Sequence, residues 1–264
     1  MKYAIISALG SHPWAETIQY HDSLESTNDL AKQLAEAEAP HGTVVIAGHQ
    51  TRGRGRMGRT FQSPGNMGIY LSLILRPQCS AEKLMHLTCA VGVAMCNAVE
   101  TATGYRPGMK WINDLVAENK KLGGILTELS LMPDGNVRYA VIGIGINCHQ
   151  TAADFPKELE NIACSLEMVT GKQTDRALLA ASMISQLEAL SHILLTEKGT
   201  IMDQYRRDCI TLGREIAVIR DDRTVSAAAI SLDDDGGLQI RYHDGTCESV
   251  TSGEVSVRGL CGYC

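Results

Sequence analysis

Residues Val137–Ile146 read VRYAVIGIGI, a nearly unbroken apolar run. It is far too short to cross a bilayer, and it lacks the alternation of a strand with one wet face. Such a segment must be covered on both sides, so it is expected to be a central strand. Helical spacing recurs beside it. Ser80 opens a long helix in which Leu84, Leu87, Val91, Met95, Ala98 and Ala102 mark one buried face. Ser26-Thr27-Asn28-Asp29 places cap-type side chains ahead of Leu30, Ala31 and Leu34, and that helix ends before Pro40. Strands are expected at 17–20, 43–48, 68–76 and 109–111. A hairpin is expected from 114–117 and 121–129 around Glu118-Asn119-Lys120, and two further helices at 175–196 and 199–209. The opening Lys2–Ala8 segment reads as a strand or linker.

The texture changes after Gly213. Short strands at 215–220, 224–232, 238–242 and 247–251 alternate with turns such as Asp233-Asp234-Asp235-Gly236-Gly237 and His243-Asp244-Gly245. An all-β unit of about 50 residues has little core of its own and should pack on the main domain. The chain therefore reads as α+β: a mixed-sheet domain over residues 1–212 and a small C-terminal β-barrel over 213–264.

Charge narrows the function. Lys plus Arg total 24 against 30 Asp plus Glu, a net charge of −6 with pI near 5.8. That argues against a dedicated nucleic-acid binder, which needs a basic field, and no apolar run suggests a membrane span. The nine cysteines are odd in number and scattered, which suits free thiols in a reducing cytoplasm better than a disulfide framework. Cys261 and Cys264 form a CxxC pair, but a second pair of zinc ligands is missing.

Four stretches carry chemistry. Within Gln50–Arg59, four arginines alternate with three glycines in Arg52–Arg59. Glycine permits close backbone approach and arginine supplies a permanent forked charge, which together describe a loop that closes over an anion. Taken alone, the same loop also reads as a flexible basic linker or an RNA-binding tract. Lys110-Trp111-Ile112-Asn113-Asp114 is followed by Lys121-Leu122-Gly123-Gly124-Ile125-Leu126. A lysine entering an apolar strand needs an anionic partner, and the glycines let a ligand lie against the strand. Alone, these are also an ordinary hairpin. Gly143-Ile144-Gly145-Ile146-Asn147 leaves open floor in the central strand, without the third glycine and following helix of a dinucleotide site. Ser26-Thr27-Asn28 are helix caps by default and can also face a small polar ligand.

In this order the stretches resemble biotin protein ligases. That family carries Ser-Thr-Asn, an arginine–glycine motif, Lys-Trp-Pro-Asn-Asp, Lys-Leu-Gly/Ala-Gly-Ile-Leu and Gly-x-Gly-x-Asn. The resemblance covers about residues 17–258, including Gly253–Arg258. Ile112 replaces the usual proline, and Phe61 stands where a tryptophan is common. Only 25 residues precede Ser26, fewer than the winged helix of the repressor members needs, so the ligase-only form without DNA binding is expected.

The resemblance implies a catalytic domain of the class II synthetase/biotin–lipoate ligase type, an SH3-like barrel, and a reaction in two steps. Biotin is activated by ATP, with Mg²⁺, as biotinyl-5′-AMP. The biotinyl group then passes to a lysine of a biotin carboxyl carrier domain, as in acetyl-CoA carboxylase. By the same resemblance the catalytic groups are Arg56, Lys121 and Asp114. Biotin falls to Ser26, Thr27, Asn28, Gln50, Arg54, Gly55, Arg56, Lys121 and Gly124. ATP and the adenylate fall to Arg54, Arg56, Arg59, Phe61, Asn113, Lys121 and Asn147. The metal ligands are not assigned. A homodimer is possible, no membrane is expected, and the enzyme is expected in the cytoplasm. Lipoate or octanoate attachment on the same scaffold, and a noncatalytic nucleic-acid module, are the alternatives.

Overall fold

The computed structural model describes residues 1–220, 223–251, 256–259 and 263. Seven strands form one mixed sheet: β1 (Ile18–His21), β2 (Thr43–Ala47), β3 (Gly68–Leu75), β4 (Gly108–Lys110), β5 (Asp114–Ala117), β6 (Lys120–Leu131) and β7 (Val137–Asn147). Their order is β1-β2-β3-β7-β6-β5-β4, with β1 and β2 parallel and the remaining neighbours antiparallel. The apolar run thus sits in the middle. The β5–β6 turn places Glu118 and Asn119 at φ 48° and 59°, the left-handed pair of a tight hairpin.

Side chains alternate along a strand, so β7 has two different faces. Ala140, Ile142, Ile144 and Ile146 join the main core with Leu71, Leu73 and Met95. Helices α3 (Leu87–Thr103) and α5 (Arg176–Ile193) cover that face. Tyr139 and Val141 point the other way and pack with Val45 and Ile74 under Ala31 and Ala35 of α2 (Thr27–Glu36). Full burial of one such aliphatic side chain contributes about 1.5–3 kcal/mol, which fixes both faces. Further along the α2 face the apolar series gives way to Gly143, Gly145 and Asn147. The helix covers the first half of the strand and the site occupies the second.

Three expectations change. Lys2–Leu9 is a helix, α1, rather than a strand or linker; Ile5 is wholly buried in the core and the helix packs on α5. Eight residues do not sustain a helix alone, so packing decides the conformation. The long helix expected from Ser80 is a 3₁₀ turn at Ala81–Leu84 followed by α3. Buried His86 at the junction hydrogen-bonds the Leu194 carbonyl at 2.9 Å. A short helix, α4 (Leu166–Thr170), appears before α5, and α6 (Lys198–Asp208) follows it.

The C-terminal unit is a five-stranded antiparallel sheet: β8 (Glu215–Arg220), β9 (Arg223–Leu232), β10 (Leu238–Tyr242), β11 (Cys247–Val250) and β12 (Ser256–Gly259), ordered β11-β10-β9-β8-β12. Its β9–β10 turn docks on the main domain. Trp111 Nε1 donates to the Gly236 carbonyl at 2.9 Å, Arg206 pairs with Asp234 at 2.5 Å, and Lys198 pairs with Asp235. Of the closing motif, Ser256–Arg258 lie in β12, while Gly253–Val255 fall outside the described residues, as do Cys261 and Cys264. The other seven cysteines are free thiols, six of them buried.

Candidate active site

Two cavities open on the α2 face of the sheet. The smaller, about 50 Å³, is lined by Ser26, Thr27, Asn28, Gln50, Arg54, Gly124 and Gly143. The larger, about 460 Å³, is lined by Arg59, Lys110, Trp111, Asp114, Asn147, Phe155, Ile162 and Tyr263. Gly55, Arg56, Phe61, Asn113 and Lys121 line both. The partition between the cavities therefore carries two cations.

The N-terminus of α2 builds the small cavity. Ser26 is the N-cap, its Oγ accepting from the Asp29 amide at 3.4 Å. Gln50 Oε1 accepts from the Thr27 amide at 2.8 Å and from Thr27 Oγ1 at 3.0 Å, meeting a helix-end donor that has no partner within the helix. Gln50 Nε2 donates to Ser63 Oγ at 2.8 Å. Ser72 Oγ lies 2.8 Å from Thr27 Oγ1 and 2.6 Å from Asn28 Oδ1. Ser26, Thr27 and Asn28 are all buried. Capping and cavity lining are thus done by the same residues.

The arginine–glycine segment is a small hairpin. Gly55 donates to the Arg59 carbonyl at 2.7 Å and Phe61 to the Gly53 carbonyl at 2.9 Å, with Met57 and Gly58 at positive φ in the tip. Its arginines diverge. Arg52 pairs with exposed Glu25 at 3.1 Å. Arg54 lines the small cavity, paired with Asp29 at 2.6 Å and Glu128 at 3.1 Å, and is not brought to the large one. Arg56 reaches the partition, donating to Asn113 Oδ1 at 3.0 Å. Burial pushes the Arg56 guanidinium's pKa down, and the nearby Asp114 charge opposes that shift.

Lys121 lines the same partition, its Nζ 2.7 Å from Asp114 Oδ1. Gly124 lies beside this ion pair, where a Cβ would make ordinary contact with Lys121 Cε and Nζ at 3.4 Å and Asp114 Oδ1 at 3.5 Å. The Lys121 backbone is clamped by the Ile162 carbonyl and the Cys164 amide at 2.7 and 2.9 Å. Buried Lys110 donates from Nζ to the Tyr263 carbonyl at 2.6 Å and lies over the Tyr263 ring; the Tyr263 hydroxyl donates to Asp114 Oδ2. The Trp111–Ile112 peptide is cis.

The glycines of β7 hold protein side chains. A Cβ on Gly143 would stand 2.0 Å from Asn28 Oδ1, and one on Gly145 would stand 2.4 Å from the Phe61 ring. Phe61 also meets Tyr70 edge-on at 6.4 Å. Asn147 donates to the Cys164 carbonyl and accepts from Gln150 Nε2, each at 3.0 Å, which leaves one amide hydrogen for a ligand.

Sequence reasoning missed Ser63, Ser72, Glu128, Gln150, Tyr263 and the 155–163 wall. Ser72 had a readable signal, being a lone polar residue within an apolar strand. The wall and Tyr263 reach the site only through tertiary folding.

The biotin/lipoate A/B protein ligase family matches residues 20–147, and the biotin protein ligase C-terminal domain matches 211–258. The bifunctional ligase/repressor BirA of Bacillus subtilis is 37% identical over 227 residues, covering 86% of this chain and 70% of that protein. The biotin–[acetyl-CoA-carboxylase] ligase of Mycobacterium tuberculosis is 31% identical, covering 87% and 85%. Among solved structures, the biotin protein ligase from Aquifex aeolicus in complex with biotin and ATP superimposes with a TM-score of 0.74 at 27% identity, covering 92% of this chain and 98% of that one. Two cavities separated by a cationic partition, on a fold and sequence of this kind, mean that the chain belongs to the biotin protein ligase family.

Proposed function

We propose that this ATP-dependent biotin protein ligase performs both steps at the partition, with biotin in the small cavity and the nucleotide in the large one. The observation carrying this reading is that Arg56 and Lys121 line both cavities. In the first step a biotin carboxylate oxygen attacks the α-phosphorus of ATP, and pyrophosphate leaves. Two anions must meet, so fixed cations aimed at the junction supply most of the rate; losing one such contact costs about 3 kcal/mol, or roughly a hundredfold. Arg56 and Lys121 are those cations. Ser26, Thr27 and Gln50 present polar atoms to the ureido ring, whose own polar groups would otherwise be buried unpaired. Arg59, Phe61, Asn113 and Asn147 serve the nucleotide.

In the second step a carrier lysine amine attacks the acyl carbon and AMP leaves. Asp114, which lines the large cavity, orients the amine and takes its proton. Mg²⁺ arriving on the triphosphate would neutralise the leaving pyrophosphate. No group of three or more His, Cys, Asp or Glu that could hold a metal ion is found among the described residues; phosphate oxygens and water are the expected ligands of a nucleotide-borne Mg²⁺. A cytoplasmic setting is supported by the free thiols.

Incubation with biotin, ATP, Mg²⁺ and a carrier domain, followed by mass measurement, tests the whole reaction; lipoate in place of biotin tests the alternative acid. Arg56→Gly should release free biotinyl-AMP or bind it weakly. Unchanged adenylate retention and transfer in that variant would contradict the place given to the hairpin.

A further inference from the structure

Glu128 lies on β6 two residues beyond Leu126, on the face that carries the site. Its Oε2 accepts from Asn28 Nδ2 at 3.0 Å and Arg54 Nη1 at 3.2 Å. Its Oε1 accepts from Arg54 Nη2 at 3.1 Å and Lys32 Nζ at 3.0 Å. A carboxylate has about four lone-pair sites, and these contacts use them. Burial works against the charge, but the hydrogen bonds from Asn28 and Lys32 and the Arg54 charge prevail, holding the carboxyl below its usual range. Asp29 adds a second carboxylate to Arg54 at 2.6 Å.

An exposed ion pair alone contributes little. This arrangement differs in what it connects. Arg54 is grasped by both nitrogens of its fork, which fixes orientation as well as proximity. Two residues on, Arg56 stands at the partition. Asn28 belongs to the small cavity, is only 3% exposed, and fills the space left by Gly143. One carboxylate thus joins the floor of the cavity to the hairpin that closes it.

We propose that Glu128 is a positioning residue for biotin activation: by gripping Arg54 and Asn28 together, it sets the hairpin where Arg56 meets the partition. The inference rests on the assignment of biotin to the small cavity. Arg54 then acts as the latch of the hairpin, and the charge at the junction comes from Arg56 and Lys121.

Glu128→Gln keeps the shape and the acceptor for Asn28 but removes the charge that holds Arg54. Hydrogen bonds to charged groups being the stronger class, KM for biotin should rise about tenfold and biotinyl-AMP should dissociate about tenfold faster. Saturating biotin restores the closed hairpin, so kcat for pyrophosphate release should stay within about twofold. Arg54→Ala, on an exposed loop, should reproduce these effects, and it carries the test if Glu128→Gln does not fold. The double variant should be no worse than either single one. A biotin KM unchanged in Glu128→Gln, multiplying effects in the double variant, or a fall in kcat and Tm with KM intact would each overturn the proposal. Thr27→Val separates the two layers of inference. If it leaves biotin affinity unchanged, the cavity assignment fails; if it weakens biotin while Glu128→Gln does not, only the latch fails.

Discussion

Gly143→Ala probes the floor of the site with a single methyl group. The added Cβ would lie 2.0 Å from Asn28 Oδ1, 2.7 Å from its Cγ and 2.9 Å from its Nδ2, all inside van der Waals contact. The main chain need not object, because Gly143 is not among the positive-φ glycines. The conflict is with the Asn28 side chain, held by Ser72 Oγ at 2.6 Å, Glu128 Oε2 at 3.0 Å and, more weakly, the Leu126 carbonyl at 3.5 Å. Moving Asn28 breaks one neutral and one charge-assisted bond in a buried place, a loss of about 2.5–4 kcal/mol. In a protein of this size that lowers Tm by roughly 5–15 °C. The adjoining free volume is the small cavity itself. A displaced Asn28 competes with biotin there, so affinity should fall at least about tenfold, or 1.4 kcal/mol. Thermal melts and titration calorimetry with biotin measure both effects. Gly199→Ala in α6, where an added Cβ meets nothing within 4 Å, is the control; it should gain up to about 1 kcal/mol and bind biotin normally. A Gly143→Ala protein with unchanged Tm and biotin affinity would refute the packing argument.

Asp114→Asn should form biotinyl-AMP and release pyrophosphate while transferring biotin to the carrier about 10²–10⁴-fold more slowly, the usual range for a lost general base; equal loss in single-turnover assays of both steps would remove Asp114 from the second. Burial lowers the pKa of His12, His41 and His86. The unfolded chain therefore binds more protons below about pH 6.5, and stability should be flat above that value and decline from pH 6.5 towards 5. Melts at constant ionic strength check this, and a Tm independent of pH over that range would count against lowered histidine pKa values in the folded chain.

The elements legible in the chain were those whose local pattern and long-range packing agree. The apolar run at 137–146, the Leu87–Ala102 part of the helical stripe, the Glu118–Asn119 turn and the strands after Gly213 all took their expected form, because burial and turn chemistry favour one conformation there. Lys2–Leu9 did not, since α5 selects its helix.

At the site, sequence alone supplied the chemistry: guanidinium groups on a glycine hairpin, a strand-borne ammonium, a carboxylate beside it, and cap residues at a helix start. Residue type carries charge and hydrogen-bonding capacity, so those choices are visible without coordinates. Only the tertiary structure decided where each group points. Arg54 turned to Glu128 and Arg56 to Asn113, Asn28 filled the gap over Gly143, and Tyr263 met Asp114 from the far end of the chain. Such pairings depend on separations through space that the order of residues does not encode locally, and they exist only once β6, β7 and α2 are packed against one another.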